Sequence, residues 1–443
     1  MTKTGARRGL LAALVVLVAP VAGQSGTPPA KPDEGAPKAA PVIAWEQDFD
    51  AAMQRAATEK KPVFVAFLMD NEPANDETIK DHYRDPQIQK LLARFVCLVG
   101  CIGEHQGTET GCGKFPGLLC QHHQAVEKKA RARWLDSEIV STPQHVFCDP
   151  SGQPLRRKVF LISKPTLAKC LLLTLQDCGI DTAGLAVDFG KDGGVDMVEK
   201  ERVAVATWLT NLDSRNLELR EEALRGLAYA EDPRAMPAVL KHLGPKHDDM
   251  TRLAAIGAVG SKGNHQAVAP LVQLLGENKA PILAKVAAAL ESIQLPQATS
   301  ALLAAAKKEK RDRVLGPLLR AAARCHPANA EIRDLCLKQL KSASAQLTGS
   351  VLVALGWLDP HEKIVAALLP QLTSKNLNTR GLAIWGLGGQ RSQVANKALL
   401  QVQKDEKAPE LLKILDQALR FGRGEVVENY DSAHSTFSWG SGF

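Results

Sequence analysis

Three rhythms of apolar residues divide the chain. Near the start, Leu10 to Val21 is an unbroken apolar run behind Lys3, Arg7 and Arg8. Between about residues 42 and 179, short apolar runs of strand length alternate with amphipathic stretches of helix length. Beyond about residue 202, apolar residues recur at helical spacing instead. The first rhythm has the layout of a secretory signal, with Ala22 and Gly23 supplying small residues for cleavage. It is shorter than a comfortable membrane span. Residues 1–23 are therefore expected to be removed on export to the periplasm or the extracellular space. No membrane span is expected in what remains. Residues 24–41 hold Pro28, Pro29, Pro32, Pro37 and Pro41 among Ala, Gly, Lys and Glu, a composition that favours an extended linker.

In the second stretch, an amphipathic helix from Ala51 to Glu59 precedes Lys61, Pro62 and the apolar strand Val63 to Leu68. Asp85 and Pro86 mark a break before a helix over Ile88 to Ala93, and Phe95 to Val99 is a second strand. A long insertion over 100–123 precedes a charged helix from Ala125 to Leu135. His145, Val146 and Phe147 begin a hairpin that Val159 to Ile162 closes, and Thr166 to Asp177 is the last helix. This alternation predicts an α/β domain. Trp45, a helix, Lys-Pro, an apolar strand and then a turn resemble the start of a thioredoxin-like domain, here spanning 42–179. In that family the turn carries Trp-Cys-x-x-Cys. In this chain the same slots hold Asn71, Glu72, Pro73, Ala74 and Asn75, so Glu72 and Asn75 stand where the dithiol would be. The resemblance also implies a cis-proline at Pro143, after Ser141 and Thr142. A carboxylate and an amide cannot exchange with a disulfide, so the family's usual activity should be absent.

Residues 180–201 are rich in Gly and Asp and read as a linker. From 202 to 421 the chain repeats itself. Leu209, Ser214, Asn216, Leu217, Arg220, Gly226 and Leu227 recur as Leu369, Ser374, Asn376, Leu377, Arg380, Gly386 and Leu387, an offset of 160 throughout. Lys279-Ala280-Pro281 recurs as Lys407-Ala408-Pro409, an offset of 128. Both offsets are multiples of 32, and self-similarity at a fixed period outranks local propensity. Each unit reads as helix, turn, helix, with Arg near the start of the first helix and Asp-Pro in the turn. The array resembles HEAT repeats of the short bacterial type. About six units are expected, capped by helices near Val203 to Leu212 and Glu410 to Leu419. Small residues such as Gly226 and Gly386 would let paired helices approach closely. No single hairpin could bury its apolar face alone, so the units should stack into a curved solenoid. The fold class expected is thus multidomain, an α/β thioredoxin-like domain followed by an all-α HEAT-repeat solenoid. Residues 422–443 are Gly, Ser and polar, and are expected to form a disordered tail.

Composition narrows the function. The chain is 45% hydrophobic and 23% charged, as soluble proteins are. Loss of the three basic residues in the signal lowers the formal charge from +7 to +4. The most basic run, Lys307 to Arg313, contains Glu309 and Asp312, and aromatics are only 5% of the chain, so nucleic acid is not an expected partner. Seven of the nine cysteines lie between Cys97 and Cys178. In an oxidising compartment that clustering favours disulfides, with at least one between members of the 101–120 insertion. The alternative is zinc or copper held by Cys101, Cys112, Cys120 and His123. Apart from such a metal no cofactor is called for, and no catalytic residue is assigned. His145 lies close enough to Glu72 in this scheme to form a hydrogen-bonding pair. Two readings follow. The first is an exported, non-catalytic scaffold that binds a protein partner on the solenoid surface. The second is a thiol oxidoreductase or metal-handling protein that uses the cysteine insertion.

Overall fold

The computed structural model describes residues 43–437, except 104, 106–110, 136–139, 186, 190–195 and 262. The expected signal and the Pro-rich linker lie outside the described residues. Helix α1 (Phe49–Glu59) begins where the Asp48 carboxylate accepts from Ala51 N–H at 2.8 Å, and it ends at Lys60 in the left-handed region, φ 54°. Its Phe49, Ala52 and Ala56 share one buried face. Strand β1 (Val63–Leu68) follows, buried along its whole length. Then come α2 (Pro73–Glu77), a single π turn over Thr78–His82, and α3 (Pro86–Leu92). Next are β2 (Val96–Cys101), α4 (Cys120–Trp134), β3 (Gln144–Cys148), β4 (Pro154–Val159) and α5 (Lys164–Asp177).

The four strands form one sheet in the order β2-β1-β3-β4, with β1 and β2 parallel and the other pairs antiparallel. Successive side chains of a strand point to opposite faces. Val63, Val65 and Phe67 accordingly pack with α1 and α4, and Phe64, Ala66 and Leu68 with α3 and α5. Cys97 lies in the second of these layers beside Val99.

The segment 180–201 is more than a linker. Leu185 and Val187 are buried against the α3–α5 layer, and α6 (Asp196–Asn211) already begins within it. Apolar side chains at two positions outweigh the Gly- and Asp-rich composition. After α6 come six helix pairs. They are α7 (Leu217–Tyr229) with α8 (Ala235–Lys241), α9 (Asp249–Val259) with α10 (His265–Leu274), and α11 (Ala280–Ile293) with α12 (Thr299–Lys308). The series continues with α13 (Asp312–Cys325) and α14 (Ala330–Leu340), α15 (Ala345–Trp357) and α16 (Glu362–Leu368), then α17 (Leu377–Gly389) and α18 (Gln393–Asp405). Helix α19 (Pro409–Gly422) closes the array. The first helices begin 31 to 33 residues apart. One apolar core runs continuously through all the pairs, from Val205 to Leu419. Among the described residues no helix is long and apolar enough to cross a membrane.

The repeated residues have local work to do. Asn216 and Asn376 cap α7 and α17, accepting from Glu218 N–H at 2.9 Å and Thr379 N–H at 3.1 Å. Arg220 and Arg380 each reach back six residues, donating to Ser214 O at 2.8 Å and Ser374 O at 2.9 Å. A guanidinium thus satisfies the same turn carbonyl in units five periods apart. Leu227 and Leu387 are both fully buried. Gly226 and Gly386, in contrast, do not make equivalent contacts. A Cβ on Gly226 would lie 2.4 Å from Trp208 of α6, whereas one on Gly386 would lie 3.1 Å from Leu368. The first unit packs on a cap and not on another repeat, which accounts for the difference.

As far as residue 437 the expected disordered tail is also corrected, and residues 438–443 lie outside the described residues. A short 3₁₀ turn, Tyr430–Thr436, returns across the array, and Tyr430 and Phe437 are buried. Trp385 Nε1–H donates to Tyr430 O at 2.9 Å, and the Tyr430 hydroxyl donates to Trp385 O at 2.5 Å. His434 packs edge-on to Trp357 of α15, with ring centroids 5.0 Å apart, and Asp431 pairs with Arg324 of α13. Three aromatic and imidazole rings, not the Gly and Ser content, decide where this segment goes.

Candidate functional site

Chemistry-bearing residues gather at the C-terminal ends of β1 and β2. Beyond β1, Asn71 takes a left-handed conformation, φ 59°, and Glu72 becomes the N-cap of α2. The Glu72 carboxylate accepts from Asn75 N–H at 3.0 Å and from the Asn75 side-chain amide at 2.7 Å. That amide also donates to Thr142 Oγ1 at 3.0 Å, and the Thr142–Pro143 bond is cis. Glu72, Asn75 and Pro143 therefore converge, with no thiol in the turn. His145 does not pair with Glu72. Its Nε2 lies 2.8 Å from the Tyr83 hydroxyl, and its ring stacks on Phe64. Burial, reinforced by His82, pushes the His145 imidazole down to about 3, so it is neutral at ordinary pH.

The insertion after β2 builds the second constellation. Cys120 and His123 sit in the first turn of α4 at i and i+3, a spacing that puts both on one face. Cys112 is held by a tight turn, its N–H donating to Leu118 O at 2.6 Å. His105 comes between them. Its Nδ1 lies 3.0 Å from Cys112 Sγ and 4.0 Å from Cys120 Sγ, and Cys112 Sγ is 3.8 Å from His123 Nε2. One donor atom from each of the four residues lies within 4.8 Å of the others. Each imidazole is tied down on its far side. His123 Nδ1 is 2.6 Å from Cys101 O, and His105 Nε2 is 2.7 Å from Asp70 Oδ1. Lys114 donates to the same Asp70 oxygen at 2.6 Å. Burial acts to raise the Asp70 carboxyl, but Lys114 and His105 together hold it below its ordinary value. Burial lowers His123 and raises Cys112.

Of the residues singled out in the sequence, Cys112, Cys120 and His123 meet here. The Cys101 sulfur faces the other side of His105, 3.7 Å from Nε2, and contributes to the group through its carbonyl instead. His105 was not singled out. It is one of three histidines in the Cys-rich insertion, and residue order alone does not distinguish it from His122. His122, the neighbour of His123, caps α4 by accepting from Leu119 N–H at 3.2 Å. The disulfide expected within 101–120 is not formed, and all nine cysteines are free. All three insertion sulfurs lie against His105 instead, Cys101 on its Nε2 side and Cys112 and Cys120 on its Nδ1 side. Cys97, Cys148, Cys170, Cys325 and Cys336 are buried and Cys178 is half-buried, and burial pushes Cys170, Cys325 and Cys336 up to about 12.

A separate cleft of about 410 Å³ lies where β4 meets the turns of the first two repeats, lined by Arg157, Lys158, Glu231, Asn264 and His265 among others. Lys158 pairs with Glu231 there, and a Cβ on Gly263 would lie 2.7 Å from Val159 O. Close backbone approach and a partly buried ion pair thus tie the sheet edge to the helices.

Residues 205–288 and 247–323 each match the family described as HEAT repeats. The bilin biosynthesis protein PecE of Mastigocladus laminosus is 29% identical over 214 residues, covering 45% of this chain and 75% of that protein. Among solved structures, the CpcE–CpcF complex of phycocyanin lyase from Nostoc sp. PCC7120 matches 54% of this chain and 93% of its own, at 19% identity and TM-score 0.37. An archaeal HEAT-like repeats protein from Thermococcus onnurineus matches 51% and 97%, at 14% identity and TM-score 0.34. The helical array of this chain is built of HEAT-like repeats.

Proposed function

We infer that the chain is a non-catalytic scaffold whose HEAT-like array binds polypeptide on the face of its first helices. The observation that carries this reading is the chain's own C-terminal segment. It lies across α13, α15 and α17 through Asp431, His434, Tyr430 and Phe437, on a surface floored by Trp357, Trp385 and Gly381. Aromatic anchors over small residues are the usual centre of a protein-binding surface. The α/β half is read as a thioredoxin-like domain that has lost its dithiol. Its sheet order, the cis Thr142–Pro143 bond and the Glu72–Asn75 pair in the dithiol slots support that reading. The thiol-enzyme alternative is disfavoured by buried cysteines whose thiols are pushed up, since the thiolate is the nucleophile. The sequence pattern of residues 1–23 supports export, which would put the scaffold in the periplasm or outside the cell.

Similarity to PecE, a protein named for bilin biosynthesis, supplies a second reading in which the array serves bilin chemistry. One experiment addresses both. A chain ending at Arg423 is titrated with a synthetic peptide of residues 424–437, and separately with a bilin, alongside the full-length chain. The peptide is expected to bind the shortened chain and to bind the full-length chain far more weakly. A shortened chain that keeps its helical circular dichroism but takes no peptide overturns the polypeptide-binding face. Bilin binding without peptide binding favours the second reading.

A further inference from the structure

The geometry points to a structural zinc site formed by His105, Cys112, Cys120 and His123, which closes the insertion over the ends of β1 and β2. Zinc takes four ligands in a tetrahedron, with bonds near 2.0–2.3 Å to nitrogen and sulfur, so donor atoms around one ion lie roughly 3.3–3.8 Å apart. Three of the six separations here, 3.0, 3.8 and 4.0 Å, bracket that range, and all six lie within 4.8 Å, so the donors need close in by no more than about an ångström. Two thiols and two imidazoles are the donor set that suits this ion, and a tetrahedral arrangement of them selects zinc over harder cations.

The second observation lies behind the ligands. A metal-binding imidazole characteristically donates its other N–H to a carboxylate or a backbone carbonyl, which fixes the tautomer and turns the free lone pair toward the ion. Both histidines have that support, and from different sources. His105 has Asp70 at Nε2 and presents Nδ1 to the sulfurs, while His123 has Cys101 O at Nδ1 and presents Nε2. Charge also closes. Binding would release the two thiol protons to solvent, leaving two thiolates to neutralise the ion, while Lys114 neutralises Asp70. His123 and Cys112 are buried, and Phe115 packs against both imidazole rings, with centroids 5.6 and 5.4 Å away. Four protein ligands in a closed shell leave no position for a substrate, so the role is to hold the loop in place.

The test uses the full-length chain. After loading with zinc and dialysis against a weak chelator, metal analysis should give one zinc per chain. Cobalt(II) in its place should show the strong visible bands of a tetrahedral site with thiolate ligands. Cys112→Ser and Cys120→Ser should each abolish those bands. Cys101→Ser should keep them, because Cys101 acts through its backbone. Asp70→Asn should keep the stoichiometry and weaken affinity by about 10–100-fold. Should a ligand variant fail to fold, thiol labelling of the native wild type decides, since chelation should expose two more reactive cysteines than the zinc form shows. A chain that retains no zinc overturns the assignment. So does a Cys112–Cys120 disulfide in the purified protein, or loss of cobalt binding in Cys101→Ser with retention in Cys120→Ser.

Discussion

At the scale of single residues, burial decides what each polar group can do. His145 is 1% exposed, packed on Phe64, bonded to the Tyr83 hydroxyl and adjacent to His82. Its proton affinity in the folded chain falls to about 3, whereas in the unfolded chain it stays near the ordinary 6.5. The unfolded state therefore binds one more proton between these values, and stability must fall as pH drops from about 6.5 toward 3. One such proton contributes a slope of about 1.4 kcal/mol per pH unit in that window. His145→Gln should flatten the dependence by about that slope relative to wild type, as read from urea unfolding at pH 4.5, 5.5 and 6.5. Parallel curves for the two proteins would show that His145 does not titrate this way. Burial also explains why the candidate site was only half legible. Cys112, Cys120 and His123 could be named from residue type and from their clustering in one insertion, although their spacing matches no metal motif. His105 could not, because nothing in the order of residues tells which histidine of a loop turns inward. Cys101 falls outside the quartet, its sulfur grouped with Asp70 and His105 and its carbonyl held against His123.

At the scale of elements, period was legible and irregular segments were not. The offset of 160 between Ser214-x-Asn216-x-x-x-Arg220 and Ser374-x-Asn376-x-x-x-Arg380 reflects one physical device, a capped helix start whose arginine satisfies the turn carbonyl. Helix pairs follow that register closely. Residues 422–443 hold few apolar side chains, and their composition masks the three rings that anchor them. The contact at Gly381 allows this segment to be released without harming the helix beneath it. A Cβ at Gly381 would lie 2.4 Å from the Phe437 ring, a distance that side chains do not tolerate. Alanine is meanwhile better than glycine inside a helix by about 1 kcal/mol, so α17 itself should not suffer. Gly381→Ala should therefore raise amide exchange over residues 430–437 while leaving the circular dichroism of the array unchanged. Exchange that stays at wild-type levels would mean that Phe437 is not what holds the segment.

At the scale of the whole molecule, the array should behave as a one-dimensional stack in which each unit answers mainly to its neighbours. The unit of α11 and α12 is the best place to ask this. It carries neither the contacts of the C-terminal segment, which fall on α13, α15 and α17, nor those of the sheet edge, which fall on the turns of the first two repeats. Removing residues 280–311 joins Lys279 to Asp312, so α13 takes the place of α11 against α9, in register. The ion pair of Arg320 with Glu291 is lost, but both partners are partly exposed and such pairs contribute little, about 0–1 kcal/mol. Removing only residues 280–295 deletes one helix of the pair. It removes Ile282, Leu283, Val286, Leu290 and Ile293, the apolar face of α11 that packs between α9 and α13. Burial of each large apolar side chain stabilises by about 1.5–3 kcal/mol, so this loss rivals the whole stability of a domain. The in-register deletion should give a shorter folded array, with helicity per residue near wild type and a smaller radius of gyration by solution scattering. The half-unit deletion should unfold cooperatively at much lower temperature or aggregate. Equal tolerance of the two deletions would show that the array does not stack by repeats of this length.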